Sequence, residues 1–188
     1  MLQQLRTAVV MLLAFTLLTG VAYPLAVTGV AWVMMHDTAL GSLVVKDGKV
    51  IGSSLVGQSF TSETYFHPRP SATDPLYNAA ASTGSNLGPI TKKLIDRVQG
   101  SVEALRTQGA SGPIPVDAVT TSSSGLDPDI SPETAYLQVP RVAKARALPE
   151  DRVRDLVGSH VAGRALGVLG EPRVNVLSLN LALDGLQR

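Results

Sequence analysis

The sequence contains no cysteine, which at once excludes a disulfide framework, thiolate metal sites and a thiol nucleophile. The same absence decides how residues 17–21 are read. Leu17-Leu18-Thr19-Gly20 looks like the approach to a lipoprotein cleavage site, yet Val21 stands where the lipid-bearing cysteine is required, so lipid anchoring by that route is excluded. Charge is scarce too: of 188 residues only 16% are charged, against 45% hydrophobic. Arg6 is the one charged side chain before Asp37, so the remainder carries as many basic as acidic residues and has no formal charge. A neutral body without a basic run has no counterion release to gain from a polyanion, and nucleic acid is set aside as a partner. The three histidines, His36, His67 and His160, are too far apart to form a zinc pattern.

What is present begins with one long apolar run. No charge occurs from Thr7 to Met35, and a helix needs about 20 apolar residues to cross the hydrocarbon core. A cleaved secretory signal is the rival reading, with Gly20-Val21-Ala22 as a cleavage site. Retention is favoured because apolar residues continue through Leu25, Val27, Val30 and Val33, and Trp32 sits where an interfacial ring belongs. Pro24 lacks a backbone donor and predicts a kink. Arg6 places the amino terminus on the cytoplasmic side by the positive-inside rule. The expected organisation is a transmembrane anchor over 1–36 and one extracytoplasmic domain over 37–188, a size that can bury a core.

Along that domain, Asp47-Gly48 between Leu43-Val44-Val45-Lys46 and Lys49-Val50-Ile51 predicts a β-hairpin. Residues 53–89 are rich in Gly, Pro, Ser, Asn and Thr and read as a long ordered loop or as turns between short elements. Pro89 opens a helix carrying Ile90, Leu94, Ile95, Val98, Val102 and Leu105 on one face. Val116 to Thr121 is a strand candidate. Ser131-Pro132-Glu133 starts another helix, which Pro140 is expected to kink or interrupt. Pro149-Glu150-Asp151 starts a further one, and Val174 to Leu179 reads as a strand pairing with an earlier one. The fold class is therefore α+β: one N-terminal transmembrane helix, then a small sheet with packed helices.

The residues themselves offer little reactive chemistry. Ser122-Ser123-Ser124-Gly125 has no nucleophile elbow around it and is better explained by turns. Gly84-Ser85-Asn86-Leu87-Gly88 precedes a helix but lacks the Lys-Ser/Thr ending of a phosphate loop, and Pro89 removes a donor. Asp127 and Asp129 flank Pro128 without the glycine and distal glutamate of a calcium loop. The bottom-up reading ends at a membrane-anchored accessory domain, with a free-standing anchored envelope hydrolase or binding protein as the alternative.

Several strings, in order, resemble one family. They are Gly57-Gln58-Ser59-Phe60, Tyr65-Phe66-His67-Pro68-Arg69-Pro70-Ser71-Ala72, Gly84-Ser85-Asn86-Leu87, Ser124-Gly125-Leu126-Asp127, Arg141-Val142-Ala143-Lys144-Ala145-Arg146 and Val174-Asn175-Val176-Leu177. Together they are similar to the C subunit of the Kdp potassium-transporting P-type ATPase over the full length. The resemblance implies an accessory subunit of an ATP-driven, high-affinity potassium import complex in the inner membrane, non-catalytic because the chain lacks an Asp-Lys-Thr-Gly-Thr phosphorylation motif. It implies as partners a channel-like potassium-binding subunit, an ATP-hydrolysing P-type subunit, a small single-helix subunit and membrane lipid. ATP and potassium belong to the complex, with no cofactor bound by this chain alone. The family's proposed role is a catalytic chaperone that raises the ATP affinity of the ATPase subunit, and the glutamine implicated in it matches Gln138. From the shared strings, Tyr65, Phe66, Arg69, Ser85, Asn86, Asp127 and Asn175 are expected as partner contacts. Asp129 departs from the family, which often has histidine or asparagine at that place.

Overall fold

The structure, a computed structural model, describes residues 2–186. The chain divides into two compact units, one ending at Ile51 and the other beginning at Gly52.

The first unit is mostly helix. Helix α1 (Leu2–Leu17) runs through a π-helical turn at Leu18–Ala22 into α2 (Tyr23–Met34). Together Gln3–Met34 make 32 residues, the one helix among the described residues long and apolar enough to cross a membrane. Pro24 explains the π turn. Its nitrogen cannot donate and its ring crowds the carbonyl four residues back, and just before it the Tyr23 N–H reaches five residues back to the Leu18 carbonyl. The strain expected as a kink is taken up by a widened turn. Near the end of α2 the Trp32 ring meets His36 edge-on at 4.6 Å between centroids. A single turn, α3 (His36–Ala39), leads to the expected hairpin of β1 (Leu43–Lys46) and β2 (Lys49–Ser53). Asp47 and Gly48 both have positive φ there, as a two-residue turn requires.

The second unit holds four α-helices and a small antiparallel sheet. Helix α4 (Lys92–Thr107) starts at Thr91, later than Pro89 suggested, and leaves Ile90 in solvent. The strand expected at Val116–Thr121 is instead a 3₁₀ turn at Val116–Ala118. The backbone is committed locally: the Ala118 N–H bonds the Pro115 carbonyl and the Val119 and Thr120 N–H groups bond the Val116 carbonyl, while the Asp117 carboxylate binds Ser131 and Thr134. Strand β3 (Asp129–Ile130) then delivers the chain to α5 (Pro132–Arg146), capped by the Ser131 hydroxyl on the Thr134 N–H. Helix α6 (Glu150–Ser159) follows, then strands β4 (Val161–Ala162) and β5 (Arg173–Asn175), and finally α7 (Val176–Gly185).

The sheet order is β3-β5-β4, with Ile130 and Val161 flanking Val174 on either side. Helical spacing explains the core. Ala135, Val139, Val142 and Ala143 line one face of α5, Val153 and Val157 one face of α6, and Val176, Leu179 and Leu183 one face of α7. Each valine or leucine among them that is fully removed from water contributes about 1.5–3 kcal/mol. Of the two effects expected of Pro140, interruption does not occur, and α5 runs through it. It lies on the exposed face, so the Tyr136 carbonyl it leaves without an i+4 donor is on the solvent side while the opposite face stays packed.

The expected strand at Val174–Leu179 is corrected as well. The strand stops at Asn175, whose side-chain oxygen accepts the Ser178 N–H at 3.0 Å and starts α7. Asn175 and Ser178, the two polar residues within that expected strand, belong to a helix cap.

Candidate functional site

Most of the strings that carry the family resemblance converge on one belt of loops in the second unit. Its central segment is residues 63–70, which has no regular secondary structure and so must find partners for its backbone elsewhere. Side chains from α5 and α7 supply them. Asn180 accepts from the Phe66 N–H at 2.8 Å and donates to the Phe66 carbonyl at 3.0 Å. Gln138 does the same for His67, at 2.7 and 3.0 Å. Each amide thus satisfies both polar groups of one residue, as a neighbouring strand would.

Two arginines of α5 close the carbonyls that precede this pair. Arg141 donates to the Glu63 carbonyl at 2.6 Å, the Tyr65 carbonyl at 3.0 Å and the Gln138 side chain at 2.7 Å. Arg146 donates to the Thr64 carbonyl at 2.6 Å and pairs with Asp184 at 2.9 Å. Its guanidinium also lies 4.7 Å over the Tyr65 ring, and the Tyr65 hydroxyl donates to the Asp184 carboxylate. Phe66 is thereby driven into the core, where it is completely buried. Burial holds the His67 pKa below the ordinary imidazole value, and the Arg141 charge adds to the effect.

The belt continues through Arg69, which forms an ion pair with Asp127 at 2.9 Å. The Tyr77 hydroxyl donates to the Arg69 carbonyl at 2.6 Å, and burial first, then Asp127, pushes this phenol far above its usual pKa. Ser71 donates to the Gly125 carbonyl at 2.7 Å, the Thr83 N–H bonds the Ser124 carbonyl, and the Gly57 N–H bonds the Leu126 carbonyl. Gly57 has no room for a side chain: a Cβ would stand 2.5 Å from the Asp127 carbonyl oxygen and 2.6 Å from the Tyr77 ring. Asn175 joins from the sheet, donating to the Ser54 carbonyl and to Asp129. Burial raises the Asp129 pKa despite the offsetting Asn175 hydrogen bond and the Arg173 charge at 3.0 Å.

Of the residues expected as partner contacts, Tyr65, Phe66, Arg69, Asp127 and Asn175 therefore belong to this one network. Ser85 and Asn86 differ. They line a cavity of about 270 Å³ beside Ser122 and Ser123, and among the described residues their side chains make no hydrogen bond. Asn86 takes positive φ. Gln138, expected to meet nucleotide, is only 7% exposed and has both ends of its amide engaged. The cavity beside it, between α4 and α5, is about 180 Å³.

The arrangement holds its hydroxyls and charges in bonds to its own backbone. Ser122 and Ser124 accept from the Gly125 and Leu126 N–H groups at 2.9 and 3.1 Å, and His160 bonds the Leu156 carbonyl at the end of its own helix. Among the described residues no group of three or more acidic or histidine side chains is placed to hold a metal. Sequence reasoning missed Asn180, Tyr77 and Asp184. Asn180 was detectable as a lone amide at helical spacing from Val176, hidden only by reading that stretch as a strand.

Comparison with known proteins covers the entire described chain. The family model KdpC, described as the c chain of K+-transporting ATPase, matches residues 5–185. A potassium-transporting ATPase KdpC subunit from Methylobacterium nodulans is 61% identical over 198 aligned residues, covering 99% of this chain and 98% of the relative. A protein of the same name from Methylorubrum extorquens is 58% identical over 200, covering all of both chains, and one from Rhodopseudomonas palustris strain BisB18 is 60% identical over 196, covering 98% of each.

Proposed function

The chain belongs to the KdpC family of K+-transporting ATPase c chains, and on that premise we propose that it is a non-catalytic accessory subunit stabilising an ATP-driven, high-affinity potassium import complex. The observation that carries this reading is the full-length similarity, together with one 32-residue apolar helix and a domain whose shared motifs are spent on holding its own loops. A domain of that kind presents a shaped surface to partners rather than reacting groups to a substrate.

The helix anchors the chain in the inner membrane with the amino terminus inside and the domain outside. Arg6, in the opening turns of the helix, is the only charged side chain before Asp37 and supports that orientation. The partners are the channel-like potassium-binding subunit, the ATP-hydrolysing P-type subunit and the small single-helix subunit. Hydrolysis takes place on the P-type subunit. Any rise in ATP affinity reaches that subunit through assembly, because the Gln138 amide is committed to His67 and Arg141 and an outer domain meets little nucleotide.

Two measurements test this. Deleting the gene in a strain without another high-affinity importer should abolish growth at very low potassium, and unchanged growth would end the proposal. Protease added to sealed right-side-out vesicles should digest the domain, whereas protection would reverse the orientation.

A further inference from the structure

The π-helical turn at Leu18–Ala22 leaves one backbone acceptor of the long apolar helix without a donor. A helical carbonyl is served by the N–H four residues on, or five residues on where the turn widens. For the Thr19 carbonyl these residues are Tyr23 and Pro24. The Tyr23 N–H is bonded to the Leu18 carbonyl, and Pro24 has no N–H. The Thr19 hydroxyl itself donates to the Phe15 carbonyl at 2.7 Å, and among the described residues no other side chain donates to Thr19. The widened turn thus finds a place for one N–H and strands one carbonyl.

Its position makes this acceptor matter. Thr19 is the seventeenth of the 32 residues from Gln3 to Met34. At about 1.5 Å per residue the helix is about 48 Å long, so a hydrocarbon core of about 30 Å encloses its middle wherever along the rod the bilayer sits. An acceptor without a donor is costly there. Water is a poor substitute, because a buried water needs two to four polar partners, and Leu17, Leu18, Val21 and Ala22 bring no polar side chain. The whole turn is exposed. Gly20 has no side chain and Ala22 only a methyl, which lets a second helix come close to the backbone.

We propose that the Thr19 carbonyl accepts a hydrogen bond, within the bilayer, from a hydroxyl or amide side chain on a membrane helix of another subunit of the potassium-transporting complex. Donor chemistry excludes the other occupants. A lipid tail has no donor to give. A second copy of this chain enters the membrane in the same direction, so a two-fold pair sets the same acceptor opposite itself at the same height. The Thr19 hydroxyl at that height is already spent on Phe15. The donor therefore belongs to a different sequence. This contact presupposes the membership of the complex proposed above and adds to it one defined backbone atom.

Infrared spectroscopy of the full chain with an isotope-labelled carbonyl at Thr19 reads the bond directly. The labelled band should lie lower in the assembled complex in its membrane than in the chain reconstituted alone in the same lipid. Equal frequencies would overturn the proposal, whether both were high, with no donor, or both low, with water or a second copy as donor. Pro24→Ala supplies the second arm of the experiment. An N–H at that position gives Thr19 an internal donor whether the turn stays wide or closes to an α-helix, so the band should be low already in the chain alone. Recovery of this variant with the solubilised complex should then fall about threefold to tenfold; undiminished recovery would overturn the proposal. If the unaltered chain itself fails to co-purify with the complex, the wider reading fails, and the two failures are told apart.

Discussion

The side-chain amide of Gln138 makes two hydrogen bonds to the backbone of His67, accepting from its N–H at 2.7 Å and donating to its carbonyl at 3.0 Å. Asn180 does the same to Phe66 from a different helix. The two helices therefore clamp a segment that has no strand beside it. This changes what a substitution at Gln138 reports.

Gln138→Ala should destabilise the detergent-solubilised chain by about 2 kcal/mol, because two buried backbone groups lose their partners. Asn180→Ala should cost about as much. The double variant should cost less than the sum, since a segment released at one residue strains little against the second clamp. Denaturant midpoints measure all three. A Gln138→Ala chain as stable as the original, in a complex with weakened ATP affinity, would restore the nucleotide reading.

Two glycines should respond in opposite directions. Gly57→Ala places a methyl 2.5 Å from a backbone carbonyl and should cost about 1–3 kcal/mol. Gly100→Ala lies within α4 with nothing inside 4 Å of the new Cβ and should stabilise by about 0.5–1 kcal/mol. Thermal melts of the two variants settle the comparison.

Asp117 accepts from the Ser131 N–H at 2.7 Å, the Ser131 hydroxyl at 2.8 Å and the Thr134 hydroxyl at 2.7 Å, all at the start of α5. Asp117→Ala should cost about 2 kcal/mol and Asp117→Asn less, because the amide keeps an acceptor but loses the charge favoured at a helix start. Hydrogen exchange should rise first in the opening turn of α5.

The folded-state pKa of His67 lies below its unfolded value of 6.5. The unfolded chain then takes up a proton first as pH falls, so the stabilisation is fully present above 6.5 and is lost as pH drops toward the folded value. Denaturant midpoints measured from about pH 7.5 down to about pH 5 should decline in the original chain and decline less in His67→Gln. Equal slopes would show that the ring does not titrate differently on folding.

The long N-terminal apolar helix, the Asp47-Gly48 hairpin and the starts of α5 and α6 were legible in the sequence because each rests on local chemistry: a long uncharged run, a turn pair, a Ser-Pro-Glu cap, a Pro-Glu-Asp opening. The end of the chain was misread for an equally physical reason. Val174, Val176 and Leu177 suit a strand and a buried helix alike, and only the bond from Asn175 to the Ser178 N–H decides between them. The belt at 63–70 was visible only as strings of shared residues. Its cause, amides and guanidiniums reaching from helices more than 70 positions away in sequence, has no local signature.

The widened turn at Leu18–Ala22 has a consequence for how the two halves of the long apolar helix face their surroundings. One additional residue in the spiral turns everything after it by about 100° relative to an unbroken α-helix. Side chains of α1 and α2 that an ordinary count of threes and fours would align point in different compass directions. Helices α1 and α2 thus present separate sides of a single rod, and excising one residue between Leu18 and Ala22 would turn α2 by about 100° relative to α1.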